Sequence, residues 1–148
     1  MEIPYEKTLA DLFRWRVSVS GADVAHKFLD NETTYSELDI YANKVAQGLI
    51  GLDCKPDSRV AFLGKNSDQF FEFLYGTIKS NTVTVGINWR LAPPEVAYII
   101  NDSQSEVLLV GPEFFGLVEG IKNDIPTVKK IIAVGGHHEE WEEYTNWR

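Results

Sequence analysis

Four short apolar runs recur along the chain: Val60–Leu63 (VAFL), Thr82–Ile87 (TVTVGI), Val107–Val110 (VLLV) and Ile131–Val134 (IIAV). They begin at positions 60, 82, 107 and 131, intervals of 22, 25 and 24 residues. Each interval accommodates a strand, a helix and two short loops. The intervening segments share no residue pattern, so the pitch is not an internal repeat. VLLV and IIAV are continuously apolar, as strands covered on both faces are, whereas Val83, Val85 and Ile87 alternate with small or polar residues.

The segments between the runs predict helices. Ser67–Ser80 carries Phe70, Phe71, Phe73, Leu74 and Ile78 close to one stripe, with Ser67 as N-cap. Pro94–Asn101 presents Val96, Ile99 and Ile100, and Phe114–Asn123 presents Leu117, Val118 and Ile121. Upstream, Ser36–Leu52 opens with the capping box Thr34-x-x-Glu37, and Thr8–Val19 is a further amphipathic helix. Val24–Leu29 and Glu32–Tyr35 predict a hairpin turned by Asp30-Asn31. Strands alternating with helices imply an α/β fold: a mostly parallel sheet with helices on both faces and right-handed crossovers. Residues 1–136 form this α/β unit. Residues 137–148, HHEEWEEYTNWR, break the rhythm and are expected to be an acidic linker with no strand and no useful helix.

Length and charge narrow the class. A chain of 148 residues that is 44% hydrophobic suits one domain with a real core. The net charge of -8, with no basic stripe, argues against nucleic acid as partner. The single cysteine, Cys54, fits a reducing cytoplasm. No apolar run approaches the roughly 20 residues of a transmembrane segment, and MEIPYEKTLADLF lacks the pattern of a secretory signal.

Most candidate chemistry is outweighed by a plainer reading. No GxGxxG follows a strand. Gly64-Lys65-Asn66-Ser67 lacks the phosphate-loop pattern, because Arg59 stands at the first glycine position and Asn66 follows the lysine. It is expected to be a strand-to-helix turn. His137-His138 and their glutamates lack a third ligand at metal spacing and suit a solvated tail. Cys54 precedes Lys55, which would lower its pKa slightly, yet no base accompanies it. His26 falls in a predicted strand as a structural residue, and no serine, histidine and acid can be argued as a triad.

Asn88-Trp89-Arg90 remains. It follows a strand's carboxyl end and precedes a helix opened by Pro93-Pro94-Glu95. Ligands of open α/β sheets bind beyond the carboxyl ends of the strands. The indole could cover the core edge while the guanidinium pairs with Glu95. Alternatively, the two could face a nucleotide-like ligand, for which the planar arginine fork suits phosphate.

The composite pattern is more specific than any one motif. TTYSELDIYANKVAQGL, DSRVAFLGKNSDQFFEFLYGTIKS, VTVGINWRLAPPEVAYIINDS and EVLLV, in that order, closely resemble the amino-terminal part of the AMP-forming acyl-CoA synthetases of the adenylate-forming superfamily. The resemblance runs from about Thr33 to Val134, and its wording looks most like the fatty-acyl or medium-chain ligases. One departure is Asn81-Thr82, where the family has Ala-Gly, which bears on helix–strand packing. The resemblance implies a parent enzyme that uses ATP, Mg2+ and CoA. A carboxylic acid attacks the α-phosphate of ATP, and the CoA thiol then displaces AMP. It implies that the phosphate loop and the other catalytic parts lie in remaining domains of the same chain. The present residues would then contain no catalytic group, hold no metal, bind no cofactor tightly and be inactive alone. It also implies that Asn88, Trp89 and Arg90 form a wall near the CoA nucleotide, and that this part makes a homodimer contact in some members. A stand-alone flavodoxin-like binding or interaction module without catalysis is the rival expectation.

Overall fold

The computed structural model describes residues 8–148. The reading of the amino-terminal residues as lacking a signal falls largely outside them. A helix α1 (Leu9–Ser20) precedes the hairpin β1 (Val24–Phe28) and β2 (Asn31–Thr34). Then come α2 (Tyr35–Gly51), β3 (Arg59–Leu63), α3 (Asp68–Ser80), β4 (Val83–Ile87), α4 (Pro93–Asp102) and β5 (Val107–Val110). The chain continues through α5 (Phe115–Ile121), β6 (Lys130–Ala133), β7 (Glu142–Glu143) and α6 (Tyr144–Trp147). Strands β3 to β7 form one parallel sheet in the order β4-β3-β5-β6-β7, so the α/β expectation holds.

The sheet core follows from strand alternation. Val60 and Phe62 of β3, with Val107 and Leu109 of β5, pack under Val45 and Leu49 of α2 and Phe73 of α3. Ala61, Leu63, Leu108 and Val110 face the other way, against Val96 and Ile100 of α4 and Val118 of α5. Continuous apolar runs thus serve two cores at once. Burying each large side chain contributes roughly 1.5–3 kcal/mol before entropy is counted. At the edge strand β4, the hydroxyls of Thr84 and Thr77 meet at 2.6 Å and tie the strand to α3. Asn81 ends α3 with φ 58°, a left-handed position that asparagine tolerates better than most residues.

Helix starts match their sequence signals. Thr34 Oγ1 accepts from the Glu37 N–H at 3.2 Å, and the Glu37 carboxylate accepts from the Thr34 N–H at 2.8 Å. Ser67 caps α3 by accepting from the Phe70 N–H at 3.2 Å, so Gly64–Ser67 is the expected turn. Helix α5 is shorter than its periodicity suggests and is flanked by single 3-10 turns at Pro112–Phe114 and Lys122–Asp124. The hairpin turn also shifts by one residue. Phe28 pairs with Asn31, so Leu29 and Asp30 make the turn, with Leu29 at φ 53°.

The tail requires a larger correction. Residues 137–148 were expected to be solvated and strandless. Instead, β7 pairs with β6 through Ile132–Glu142 and Ala133–Glu143, and Lys130 Nζ meets Glu142 Oε2 at 2.7 Å across that pair. Trp141 and Tyr144 are buried in the two cores. The acidic composition concealed two aromatic anchors. Trp147 lies against α2 at Gly48, where a Cβ would meet its ring at 2.8 Å.

Candidate functional site

The chain leaves β3 for β4 on one side and returns past β3 to β5, then continues outward to β6. Adjacent strands β3 and β5 therefore deliver their next helices to opposite faces. Such a reversal opens a crevice at the carboxyl ends. The crevice here has a volume of about 320 Å³, and Gly64, Lys65, Ser67, Gln69, Gly111 and Glu113 are among its lining residues. At Gly64 a Cβ would sit 2.7 Å from the ring of Phe62 in β3, so the glycine leaves room for that ring.

Beside this crevice, the turn after β4 carries the three sequence candidates. Asn88 Oδ1 accepts from the Arg90 N–H at 3.1 Å, and the Asn88 carbonyl accepts from the Leu91 N–H at 3.2 Å. Asn88 therefore shapes the turn. Trp89 packs one edge toward Phe114, with ring centres 6.3 Å apart, yet stays 37% exposed. The Arg90 guanidinium lies 4.4 Å from the centre of the Trp89 ring. Glu95 is not its partner. That carboxylate accepts from the Ala92 N–H at 2.8 Å and caps α4, leaving Arg90 without an ion pair among the described residues.

Sequence reasoning set Lys65 aside as part of a plain strand-to-helix turn. Its ammonium stands 5.7 Å from the Trp89 ring centre and 3.0 Å from Glu113 Oε1. The backbone N–H of Glu113, and then the Lys65 ammonium, hold this carboxyl below the usual carboxylate range. Two cations thus approach one surface indole, Arg90 without an ion pair among the described residues and Lys65 in an exposed pair with Glu113. Glycine-lysine and proline-glutamate at two strand ends were the only sequence signals, and neither was informative before the strands were set side by side.

A second polar cluster lies where α6 meets α2 and α3. The Tyr144 hydroxyl donates to Glu72 Oε2 at 3.0 Å, and Arg148 Nη1 lies 3.3 Å from the same oxygen. The Arg148 guanidinium also covers the Tyr41 ring at 4.1 Å. Burial raises the Glu72 pKa, opposed by Arg148 and by the Tyr144 hydrogen bond. Burial, together with Glu72, pushes the Tyr144 hydroxyl above its ordinary value.

The remaining sequence candidates are structural. His138 stacks on Trp141 with ring centres 3.7 Å apart, accepts at Nδ1 from the Glu140 N–H at 3.2 Å, and holds the loop before β7. His137 pairs with Glu143 at 2.8 Å. His26 stacks on Phe71. Burial and then Glu106 raise the Cys54 thiol pKa, reversing the expected effect of Lys55, whose ammonium instead bonds Asp53. Among the described residues, no group of three His, Cys, Asp or Glu side chains is arranged to hold a metal ion. None of their helices is long and apolar enough to cross a membrane.

The sequence profile of the AMP-binding enzyme family matches residues 13–146, covering the sheet, the crevice and the Trp89 turn. The chain belongs to the AMP-binding enzyme family. Among the relatives of this chain is a fatty acid–[acyl-carrier-protein] ligase of Streptomyces coeruleorubidus. It is 39% identical over 108 residues, which are 73% of this chain and 20% of that ligase. A long-chain-fatty-acid–CoA ligase of Mycobacterium tuberculosis is 35% identical over 118 residues, 78% of this chain and 24% of the relative. The chain thus spans about a fifth to a quarter of the length of these relatives and corresponds to their amino-terminal part. The anthranilate CoA ligase AuaEII, solved in complex with anthranoyl-AMP, superposes with a TM-score of 0.91 at 29% identity, covering 99% of this chain and 29% of that one.

Proposed function

We propose that this chain is the amino-terminal part of an ATP-dependent acid–CoA ligase. In the parent, a carboxylic acid attacks the α-phosphate of ATP, giving an acyl-adenylate and pyrophosphate. The thiol of CoA then displaces AMP. Transition-state charge in such a reaction is stabilised mainly by prearranged donors and cations. In this reading the groups that hold ATP and Mg2+ belong to the remaining domains of the parent. The isolated 148 residues are accordingly inactive, and the parent works in the cytoplasm.

The role of the present residues is to hold one end of the thiol carrier. Trp89 offers a face for a nucleotide base, Arg90 offers a cation to its phosphates, and Asn88 fixes the turn that presents both. The observation that carries this reading is the Arg90 guanidinium: it lies over a solvent-exposed indole at the sheet's carboxyl end and has no ion pair among the described residues. Stacking on an indole suits any base, and arginine suits phosphate.

Two measurements test the reading. Isotopic ATP–pyrophosphate exchange with a panel of carboxylic acids should be absent from the 148 residues and present in the parent. Exchange by the short chain would place catalytic groups within it. In the parent, Arg90→Ala should raise the apparent KM for CoA about tenfold, the loss of roughly 1.4 kcal/mol of charged contact, while adenylate formation changes little. An unchanged CoA requirement would leave Asn88-Trp89-Arg90 with a structural role alone.

A further inference from the structure

Lys65 and Glu113 come from the ends of neighbouring strands and meet only because β3 and β5 lie side by side. Their side chains are 55% and 48% exposed, so the pair is an open surface contact. Contacts of this kind contribute little to stability and exchange readily with other ions. The same ammonium faces the Trp89 ring, and the Arg90 guanidinium faces that ring too. Two cations therefore converge on one indole, and one of them is held by a carboxylate that a stronger anion could replace. The glycines beside them leave the crevice wall without side chains at Gly64 and Gly111.

We infer that Lys65 is a specificity-determining residue for a phosphorylated nucleotide: it leaves Glu113 and, together with Arg90, grips a phosphate group of a nucleotide whose base stacks on Trp89. Glu113 occupies the phosphate's place on Lys65 in the unliganded chain and sets a threshold that a weak or singly charged anion does not cross. The inference rests on the reading of Trp89 as a nucleotide wall and adds the residues that would select the charged end of the ligand. One consequence concerns the thiol carrier. A nucleotide-bearing carrier such as CoA gains from this pair of cations, whereas a phosphopantetheine arm on a carrier protein, which lacks the base and its attached phosphates, gains nothing there.

The test follows the Trp89 indole N–H of the 148-residue chain by heteronuclear NMR at low salt, a method that reads weak binding. Adenosine 3′,5′-bisphosphate, adenosine and inorganic phosphate are the probes. The bisphosphate should bind about tenfold more tightly than adenosine, the effect of one or two charge-assisted contacts. Lys65→Ala should weaken the bisphosphate about fivefold and leave adenosine unchanged. Glu113→Gln should tighten the bisphosphate about two- to fivefold, because the competing carboxylate is gone. All these side chains are exposed, and circular dichroism should confirm that both variants fold as the parent chain does. If Trp89 responds to the nucleotides but neither substitution changes the bisphosphate affinity, the role of Lys65 is overturned and the nucleotide wall stands. Inorganic phosphate binding as tightly as the bisphosphate would overturn selection of a nucleotide. No response of Trp89 to either nucleotide would overturn both readings.

Discussion

Tyr144→Phe removes one hydroxyl from the buried cluster that docks the end of the chain. Tyr144 is 1% exposed and Glu72 is 5% exposed, and the hydroxyl donates to the Glu72 carboxylate at 3.0 Å. Phenylalanine keeps the ring, so packing against β6 and α3 is retained and no large cavity forms. The loss is one hydrogen bond to a charged acceptor, about 1.5–3 kcal/mol. Arg148 remains near Glu72, which keeps the loss toward the lower end of that range. The sign with pH follows from Glu72. Burial raises its pKa in the folded chain, so the folded state holds the proton more tightly than the unfolded state does. Its contribution to stability is therefore complete below the unfolded value of 4.5 and falls as pH rises through the higher folded value. The Tyr144 hydroxyl opposes that rise by favouring the carboxylate, so its removal raises the folded pKa further. Urea unfolding at pH 4 and at pH 8 reads the difference. The variant should lose about 2 kcal/mol at pH 8, a midpoint shift of about 1 M, and less at pH 4, where the carboxyl is protonated. A loss that is larger at pH 4, or none at either pH, would refute this account of the cluster.

Gly76→Ala tests the close contact of α2 and α3. A Cβ there would sit 2.3 Å from Val45 Cγ1, and thermal unfolding should show a destabilisation of about 1–3 kcal/mol despite alanine's better helix propensity. Cys54 should react slowly with a disulfide reagent at neutral pH and accelerate only above the ordinary thiol range, because burial raises its pKa; rapid reaction at pH 7 would contradict that environment.

Several parts of the fold were legible in the residues alone because their causes are local. Thr34 with Glu37, and Ser67 before Phe70, satisfy helix amides within one turn, so the helix starts follow from short-range chemistry. The four apolar runs became four parallel strands, with the continuously apolar VLLV in the middle of the sheet and the alternating β4 at its edge. The hairpin turn slipped by one residue, since Leu29 adopts a conformation that sequence would assign to Asn or Asp. The tail was misjudged for a similar reason. Its glutamates outnumber Trp141 and Tyr144, yet those two rings settle its packing through buried area that composition does not weigh.

The site divides along the same line. Asn88, Trp89 and Arg90 could be singled out from sequence, because a strand's end followed by a proline-started helix marks where ligands gather. Whether the arginine pairs with Glu95 was open until the tertiary structure placed Glu95 on its own helix cap and left the guanidinium over the indole. Lys65 and Glu113 are 48 positions apart along the chain, and nothing local couples them. Only the order of strands, β3 beside β5, brings their ends together, because sheet neighbours are chosen by how the whole core packs. The residues of this chain therefore determined its class, its strands and the turn that carries Trp89. The crevice, the second cation and the carboxylate that holds it exist only in three dimensions.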